Sequence, residues 1–403
     1  MSRVKSGERL QVAEVSNSRQ VWGAEFAIMA LAAPLAERGV DLVMASPPGG
    51  DLEEQWTKMG LRHLPLAIPD RQGIRGGDGQ GRPPAGQLVS EVAASVRSVR
   101  AIARMGRQVD IIHSSSLWTH LDCAVAGRLV RRPVVLDLHD IVRPGMGRRV
   151  LTAAARLSSA AVAVSHAVAD CVGPWGARRL RIMAPAVELD RFRPGPSDPD
   201  MRRRLTSSET DPLVGIVGRI DPEKGVDLVV RAVAALRGPA ARTHLVVIGS
   251  PGFDSGAYLD RLKADAERLL GDRARFVGRM EDVPETLRAL DVLVNASVAE
   301  PFGLGVLEAQ ATGVPVVATR SGGVSDFLTD GDNALLVPCG DADAMTRAIE
   351  RVIADPEESA EMARRGRLIA EVAHGIDHFA DELASLYRRL IHEPPDPATE
   401  PGR

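Results

Sequence analysis

Two short stretches of the sequence carry residue types whose spacing could support chemistry. The first is Gly218-Arg219-Ile220-Asp221-Pro222-Glu223-Lys224-Gly225, directly after the apolar run Leu213 to Val217. An arginine at the end of a strand and a lysine before the next helix would fix two cations at one edge of a parallel sheet, and the glycines Gly218 and Gly225 would let a ligand approach the backbone. That arrangement suits a diphosphate. A strand-to-helix turn started by Asp221-Pro222, with solvated cations, accounts for the same spacing equally well. Lysine is scarce in this chain, four against 46 arginines, so Lys224 stands out.

The second stretch, Glu300-Pro301-Phe302-Gly303-Leu304-Gly305-Val306-Leu307-Glu308, follows the run Val292 to Asn295. Pro301 and the two glycines place Glu300 in a loop and Glu308 about one turn inside the following helix. A helix N-terminus preceded by glycine offers free N–H donors and a partial positive charge to an anion. Two carboxylates beside it would take hydroxyls rather than the anion, and sugar hydroxyls are the natural partners. Taken alone, these residues are read more simply as a capped helix start.

Both stretches lie where a strand gives way to a helix, so the surrounding elements must position them. In the first half the pattern predicts helices over Val21 to Arg38, Gln87 to Met105, Thr119 to Leu129 and Arg148 to Leu157. Strands are predicted over Asp41 to Ala45, Val109 to Ser114, Pro133 to Leu138 and Ala161 to Val164. The second half restarts with strands at Leu213 to Val217, Thr243 to Ile248, Ala274 to Val277, Val292 to Asn295 and Val314 to Ala318. Its helices are Asp227 to Leu236, Tyr258 to Leu270, Glu285 to Leu290 and Val306 to Thr312. Alternating strands and helices mean parallel sheets covered on both faces. The expectation is an α/β protein of two doubly wound, Rossmann-like domains facing across a cleft, with ligands outside the carboxyl ends of the strands. Residues 1–190 form the first domain, the proline-rich stretch from Arg191 a linker over 191–210, and 211–375 the second domain. A C-terminal helix over 376–392 packs back on the first domain, and 393–403 is a disordered tail. The glycine-rich stretch Gly73 to Gly86 is expected to be a mobile loop.

Composition removes several function classes. The 403 residues are 44% hydrophobic and 26% charged, as in ordinary soluble proteins. No run is apolar enough for a membrane span or a secretory leader, which predicts a cytoplasmic protein. The first 200 residues carry 26 basic and 20 acidic side chains and the remainder 24 and 33. Neither half has the charge of a nucleic-acid footprint, and two Tyr, four Trp and seven Phe offer little for bases to stack on. Cys123, Cys171 and Cys339 have no paired spacing and read as reduced core residues. Ser114-Ser115-Ser116 follows a strand but lacks a Gly-x-Ser-x-Gly elbow. His374 and His378, four apart, lack an acidic ligand pattern, and no metal is expected. Arg97, Arg100, Arg104 and Arg107 fall on one side of a helix. A solvated face accounts for them, and contact with anionic lipid is the less favoured alternative.

Arg219 and Lys224, followed by Glu300, seven residues and Glu308, resemble the retaining, nucleotide-sugar-dependent glycosyltransferases of family four, which have the GT-B fold. The resemblance spans nearly the whole chain. Trp22-Gly23-Ala24-Glu25 is similar to the family's N-terminal glycine loop, Leu138-His139-Asp140 to its N-domain histidine, Ala163-Val164-Ser165 to its strand end and Val187 to Phe192 to its linker.

The resemblance implies a reaction and a set of roles. Arg219 and Lys224 would hold the donor diphosphate, Glu308 the ribose and Glu300 the transferred sugar. Gly218 would edge the donor site. Backbone amides around Phe302, Gly303 and Leu304 would meet the sugar or phosphate, and the base would lie near Val277, Gly278, Arg279 and Met280. Gly23 would line the phosphate side from the first domain, and His139 would face the reacting sugar. The departing phosphate would help to take the acceptor's proton, with no cofactor beyond the sugar nucleotide. The partners implied are that donor and a hydroxyl-bearing small molecule, glycan or glycolipid. A hydrolysing nucleotide-sugar epimerase on the same fold, or a non-catalytic nucleotide-sugar binder, is the alternative. Trp22 stands where the family often has a second glycine, and Ala184-Pro185-Ala186-Val187 replaces its usual asparagine-glycine.

Overall fold

The computed structural model describes residues 9–69, 85–173, 179–252 and 255–392. They fall into two compact units, Met1–Ala186 with Ile376–Arg403, and Val187–Gly375.

The first unit contains β1 (Leu10–Val15), α1 (Gly23–Glu37), β2 (Val40–Ser46), α2 (Asp51–Lys58), β3 (His63–Pro65), α3 (Ala85–Gly106), β4 (Ile111–Ser114), α4 (His120–Val130), β5 (Val134–Leu138), α5 (Met146–Leu157), β6 (Ala160–Ala163), α6 (His166–Ala169) and β7 (Leu180–Ile182). All seven strands run parallel in the order β3-β2-β1-β4-β5-β6-β7. The order reverses between β1 and β4, so the loops after these two strands diverge and leave a crevice at the carboxyl edge. No strand is predicted from the sequence over 10–15, yet β1 is an interior strand, paired with β2 on one side and β4 on the other. Glu14 interrupts its apolar run, and that carboxylate is buried in the sheet.

The second unit contains α7 (Pro199–Leu205), β8 (Leu213–Val217), α8 (Val226–Ala235), β9 (His244–Ile248), α9 (Gly256–Leu270), β10 (Ala274–Gly278), α10 (Val283–Arg288), β11 (Val292–Asn295), α11 (Leu304–Thr312), β12 (Val316–Thr319), β13 (Leu335–Val337), α12 (Ala342–Ala354) and α13 (Pro356–Ala373). Its six parallel strands run β10-β9-β8-β11-β12-β13, with the reversal between β8 and β11. Both candidate stretches follow these two strands. Near-continuous apolar strands such as Leu213–Val217 and His244–Ile248 are buried along their length, as helices on both faces require.

The chain enters and leaves the second unit side by side, with Val187 bridged to Gly375 and its N–H donated to the His374 carbonyl at 2.9 Å. The crossing therefore lies earlier than the predicted linker. Part of 191–210 is the helix α7, because Asp198 caps it by accepting from the Asp200 N–H at 2.9 Å and Pro199 fits the first helical turn. Cys123 and Cys171 are buried, but Cys339 is exposed, past the end of β13 rather than in the core. The predicted loop lies outside the described residues up to 84, Ala85 and Gly86 open α3, and the tail over 393–403 is likewise outside them. Among the described residues, no helix is long and apolar enough to cross a membrane.

The last helix, α14 (Ile376–His392), belongs to the first unit. Its apolar residues recur every three or four positions, the spacing of one buried helical stripe. Ala380, Leu383, Ala384, Leu386 and Tyr387 join Leu35, Met44 and Trp56 in one core. Arg38, at the end of α1, pins the contact through Asp381 at 2.7 Å and Asp377 at 3.1 Å. Leu383→Ala removes buried apolar contacts from this core and should cost the first unit about 2–5 kcal/mol. Hydrogen exchange resolved by peptide checks this: β1 and α1 should lose protection while β8 and β11 keep theirs.

Candidate functional site

The carboxyl edge of the second sheet is built from glycines. Gly218, Gly249 and Gly278 end or follow three adjacent strands, with φ of +146°, +143° and +70°. The Gly218 N–H donates to the Ile248 carbonyl at 3.0 Å, and the Gly249 N–H to the Gly278 carbonyl at 2.8 Å. A Cβ on Gly249 would lie 1.8 Å from the Gly218 carbonyl oxygen, so no side chain fits there. Gly249 was not among the predicted residues, although it heads the turn signal Gly249-Ser250-Pro251-Gly252.

Arg219 projects from this edge with its Nε 3.2 Å from Asp221, and its side chain is 58% exposed. Asp221 also caps the short turn Pro222–Lys224 by accepting from the Glu223 N–H at 3.1 Å. Gly225 then turns the chain with φ +62°, passing so near the loop after β11 that a Cβ would sit 2.3 Å from the Ala296 carbonyl oxygen. The Val298 N–H donates to the Glu223 carbonyl at 2.9 Å, and so the two loops of the switch point are bonded together.

Lys224 Nζ lies 2.8 Å from Glu300 Oε2, which also accepts from Ser297 Oγ at 2.7 Å and Asn295 Nδ2 at 3.1 Å. Burial alone would push this carboxyl up, but the Lys224 charge and the two side-chain donors outweigh it and hold the group below its ordinary value. Asn295 and Ser297 were not predicted. Their polar side chains at the end of an apolar strand were the available signal. The Glu300 carbonyl accepts from the Gly323 N–H at 2.8 Å, and a Cβ on Gly323 would meet the Pro301 carbonyl oxygen at 2.1 Å.

The Phe302 ring is buried, stacked on Phe327 with centroids 4.8 Å apart and packed against His374. This ring is core, which leaves the backbone as its route to a ligand. Gly303, at φ +103°, caps α11, and its carbonyl accepts from the Val306 and Leu307 N–H groups at 2.9 and 3.0 Å, so the amides without an intrahelical acceptor are those of Leu304 and Gly305. Glu308 sits one turn further on. Burial pushes its carboxyl up to about 7, with Arg191 opposing the shift and Glu188 reinforcing it. Met280 is buried just past β10.

The structure thus brings Gly218, Arg219, Lys224, Glu300, Phe302, Gly303, Leu304, Glu308 and Met280 into one unit, and it places Gly23 and His139 in the other. Gly23 opens α1, where the Trp22 N–H donates to Glu25 at 3.2 Å and Ser16 Oγ donates to the other Glu25 oxygen at 3.1 Å. A Cβ on Gly23 would meet no atom within 4 Å, so local packing does not demand a glycine. Trp22 is 39% exposed. His139, one residue past β5, has Nε2 3.0 Å from Asp137. Burial opposes its proton, but Asp137, with Asp140 and Glu14 behind it, raises the imidazole to about 9. His374 ends α13 and His378 lies in α14, so the two do not share a helical face. Among the described residues, no group of three His, Cys, Asp or Glu could hold a metal.

Residues 21–191 match the family model Glycosyltransferase Family 4 and residues 197–369 match Glycosyl transferases group 1. The D-inositol 3-phosphate glycosyltransferase of Acidothermus cellulolyticus is 33% identical over 318 residues, covering 72% of this chain and 69% of that protein. The enzyme of the same name from Saccharomonospora viridis is 37% identical over 219 residues, 53% of this chain and 50% of its own. For several such relatives the chain spans only about half of their length. Among solved structures, Anabaena HepE in complex with UDP-glucose superposes with a TM-score of 0.79 at 22% identity, covering 95% of this chain and all of that one. The sucrose-phosphate synthase of Thermosynechococcus elongatus gives 0.75 at 22% identity, covering 95% and 99%. The two Rossmann-like units are those of the GT-B fold, and the chain belongs to the group 1, family 4 glycosyltransferases.

The Lys224–Glu300 pair sets an acid limit on stability. Glu300 binds its proton less readily in the folded chain, so its contribution is present above the ordinary carboxylate value of 4.5 and lost as pH falls through the lower folded value. Lys224→Met leaves the carboxylate buried without its cation and should cost roughly 3 kcal/mol near pH 7. Denaturant unfolding between pH 7 and 3 should show the deficit shrinking toward acid, as Glu300 protonates in the variant first.

Proposed function

We propose that this glycosyltransferase moves a sugar from a nucleoside diphosphate to a hydroxyl of a small-molecule, glycan or glycolipid acceptor, with retention at the anomeric carbon and without a metal or other cofactor. The observation that carries this reading is the contact of Lys224 with Glu300 at 2.8 Å across the switch point. It sets a phosphate-binding cation and a hydroxyl-binding carboxylate next to each other, as a sugar joined to a diphosphate requires. Arg219 and Lys224 take the diphosphate and the backbone amides around Phe302, Gly303 and Leu304 meet the sugar or phosphate. Glu308 takes the ribose and Glu300 the transferred sugar. Three donors converge on one Glu300 oxygen, which keeps the group ionised and suits it to stabilise positive charge on the sugar rather than to remove a proton. In the first unit His139 serves the transferred sugar and Gly23 the phosphate side. The UDP-glucose complex of the Anabaena neighbour supports a uridine donor as the first to test, and the relatives' name supports an inositol phosphate as the first acceptor. The reaction takes place in the cytoplasm.

The two cations substitute for a metal in neutralising the leaving diphosphate. Turnover should therefore survive excess chelator. Loss of activity on chelation, restored by magnesium or manganese, would overturn the roles given to Arg219 and Lys224.

The carboxylates separate by experiment. Glu308→Gln should weaken both the bare nucleoside diphosphate and the intact donor by on the order of tenfold, about 1.4 kcal/mol. Glu300→Gln should leave nucleotide affinity nearly unchanged and lower kcat. Because Glu308 accepts two hydroxyls as a carboxylate, wild-type affinity should fall as pH drops below about 7 and level off about tenfold lower, and Glu308→Gln should remove that part of the slope. Calorimetry with the nucleoside diphosphate, beside steady-state rates, reads both effects. The opposite pattern would exchange the two assignments.

A further inference from the structure

Behind His139 lies a row of ionisable groups that the proposed reaction does not use. Glu14 on β1, His113 on β4 and Asp137 on β5 occupy three adjacent strands, with Glu14 in register opposite His113. They continue the face that carries Val12, Ile111 and Val135 into the core beneath α14. His113 Nδ1 is 3.1 Å from Glu14 Oε2, its Nε2 is 3.8 Å from Asp137 Oδ2, and that same oxygen is 3.0 Å from His139 Nε2. Tyr387 of α14 closes the far end, with its hydroxyl 2.6 Å from His113 Nδ1.

Glu14 and His113 are almost fully buried, while the His139 side chain remains 27% exposed. Among the described residues, Glu14 Oε1 and the Nε2 atoms of His113 and His139 have no aligned hydrogen-bond partner. Charge rather than a continuous hydrogen-bond chain therefore holds the row. Such a row inside an apolar core is costly, and apolar residues of similar size would commonly be as stable or more so. The groups alternate from the interior outward: carboxyl, imidazole, carboxyl, imidazole. Burial disfavours charge on His113 and Asp137, yet Glu14 and Asp137 raise His113, and His139, His113 and His120 lower Asp137.

We propose that Glu14, His113 and Asp137 form an alternating-charge row that presents His139 to the transferred sugar as an imidazolium, with Glu14 and His113 as positioning residues acting through Asp137. This rests on the reading of His139 as the group that serves that sugar. The imidazolium offers a hydrogen-bond donor at the strand end and keeps its charge through neutral pH. Asp137 and Asp140 face His139 from its own segment, Glu14 from β1 and His113 from β4, while Tyr387 is a neutral neighbour of the row.

The test is a nitrogen-15 titration of the histidines in the full-length protein, with the His139 signal assigned by its loss in His139→Ala. Alternation predicts alternating signs. Glu14→Gln should lower the His139 midpoint by about 0.5–1 pH unit, Asp137→Asn should lower it by more than about one, and His113→Gln should raise it. Tyr387→Phe, which removes a neutral group at the same depth, should move it least. General loosening of the core would expose His139 and shift Glu14→Gln and His113→Gln in the same direction, and that result overturns the proposal. If His113→Gln does not fold, the other two variants decide, and an unmoved midpoint in Glu14→Gln overturns it. The alkaline limb of kcat should follow the midpoints. Midpoints that alternate beside an unmoved limb would uphold the row as the source of the His139 charge and overturn the sugar-facing role of His139, so the two readings fail separately.

Discussion

The ion pair between Lys224 and Glu300 is the contact on which the second unit's ligand edge depends. It joins the loop after β8 to the loop after β11, the two strands between which the sheet order reverses. At such a reversal the crossover helices lie on opposite faces and the loops part, so something must hold them in register. Gly225 permits the approach to Ala296, the Val298 N–H bonds to Glu223, and Asn295 and Ser297 satisfy the carboxylate that faces the lysine. Each of these contacts converges on the same few ångströms. A neutral pair at the centre leaves the exposed Arg219 and the start of α11 to supply the positive field.

Glu300 and Glu308 are eight residues apart and are treated in opposite ways. Glu300 is buried and Glu308 partly so, and withdrawal from water by itself favours the protonated acid. Glu300 has a cation and two neutral donors within hydrogen-bond distance, and these reverse the effect of burial. Glu308 has the more remote Arg191, countered by Glu188, and burial prevails. The first carboxylate is therefore a fixed charge, and the second becomes one fully only above neutrality or when a ligand donates to it. The proposed roles match this difference, with the permanent charge beside a reacting centre that gains positive charge and the adjustable one beside neutral hydroxyls.

Much of this was legible in the sequence because apolar runs and turn residues coincide with real elements. The strands Leu213–Val217 and Val292–Asn295 were bounded correctly, and the loops that follow them carry Lys224 and Glu300, which the fold brings to 2.8 Å. Function is also what hid the rest. β1 escaped detection because Glu14, a buried polar residue, breaks its apolar pattern. Gly249 carried no chemistry of its own and is needed only because the Gly218 carbonyl lies 1.8 Å from where its Cβ would be. Asn295 and Ser297 are ordinary polar residues until the fold brings them to Glu300. Pro199 looked like a breaker and instead opens α7, since position within a helix rather than presence of proline decides its effect. Tyr387, 274 residues from His113 in sequence, meets it only because α14 returns to the first unit.

The geometry of the central pair also explains how one lysine can serve two partners. An ammonium carries three N–H donors, and Glu300 needs one of them at 2.8 Å. The other two remain for phosphate oxygens, so an incoming diphosphate can share Lys224 with Glu300 instead of displacing it. Displacement would leave a buried carboxylate without its cation, whereas sharing adds an anion to a site where Arg219 and the helix start already favour one. Under the proposed roles, Glu300 would stay in place when the diphosphate arrives, its distance from the phosphate set through Lys224. A sugar attached to that phosphate would then meet a carboxylate whose position is fixed beforehand, which is the condition for electrostatic stabilisation without reorganisation at the moment of transfer.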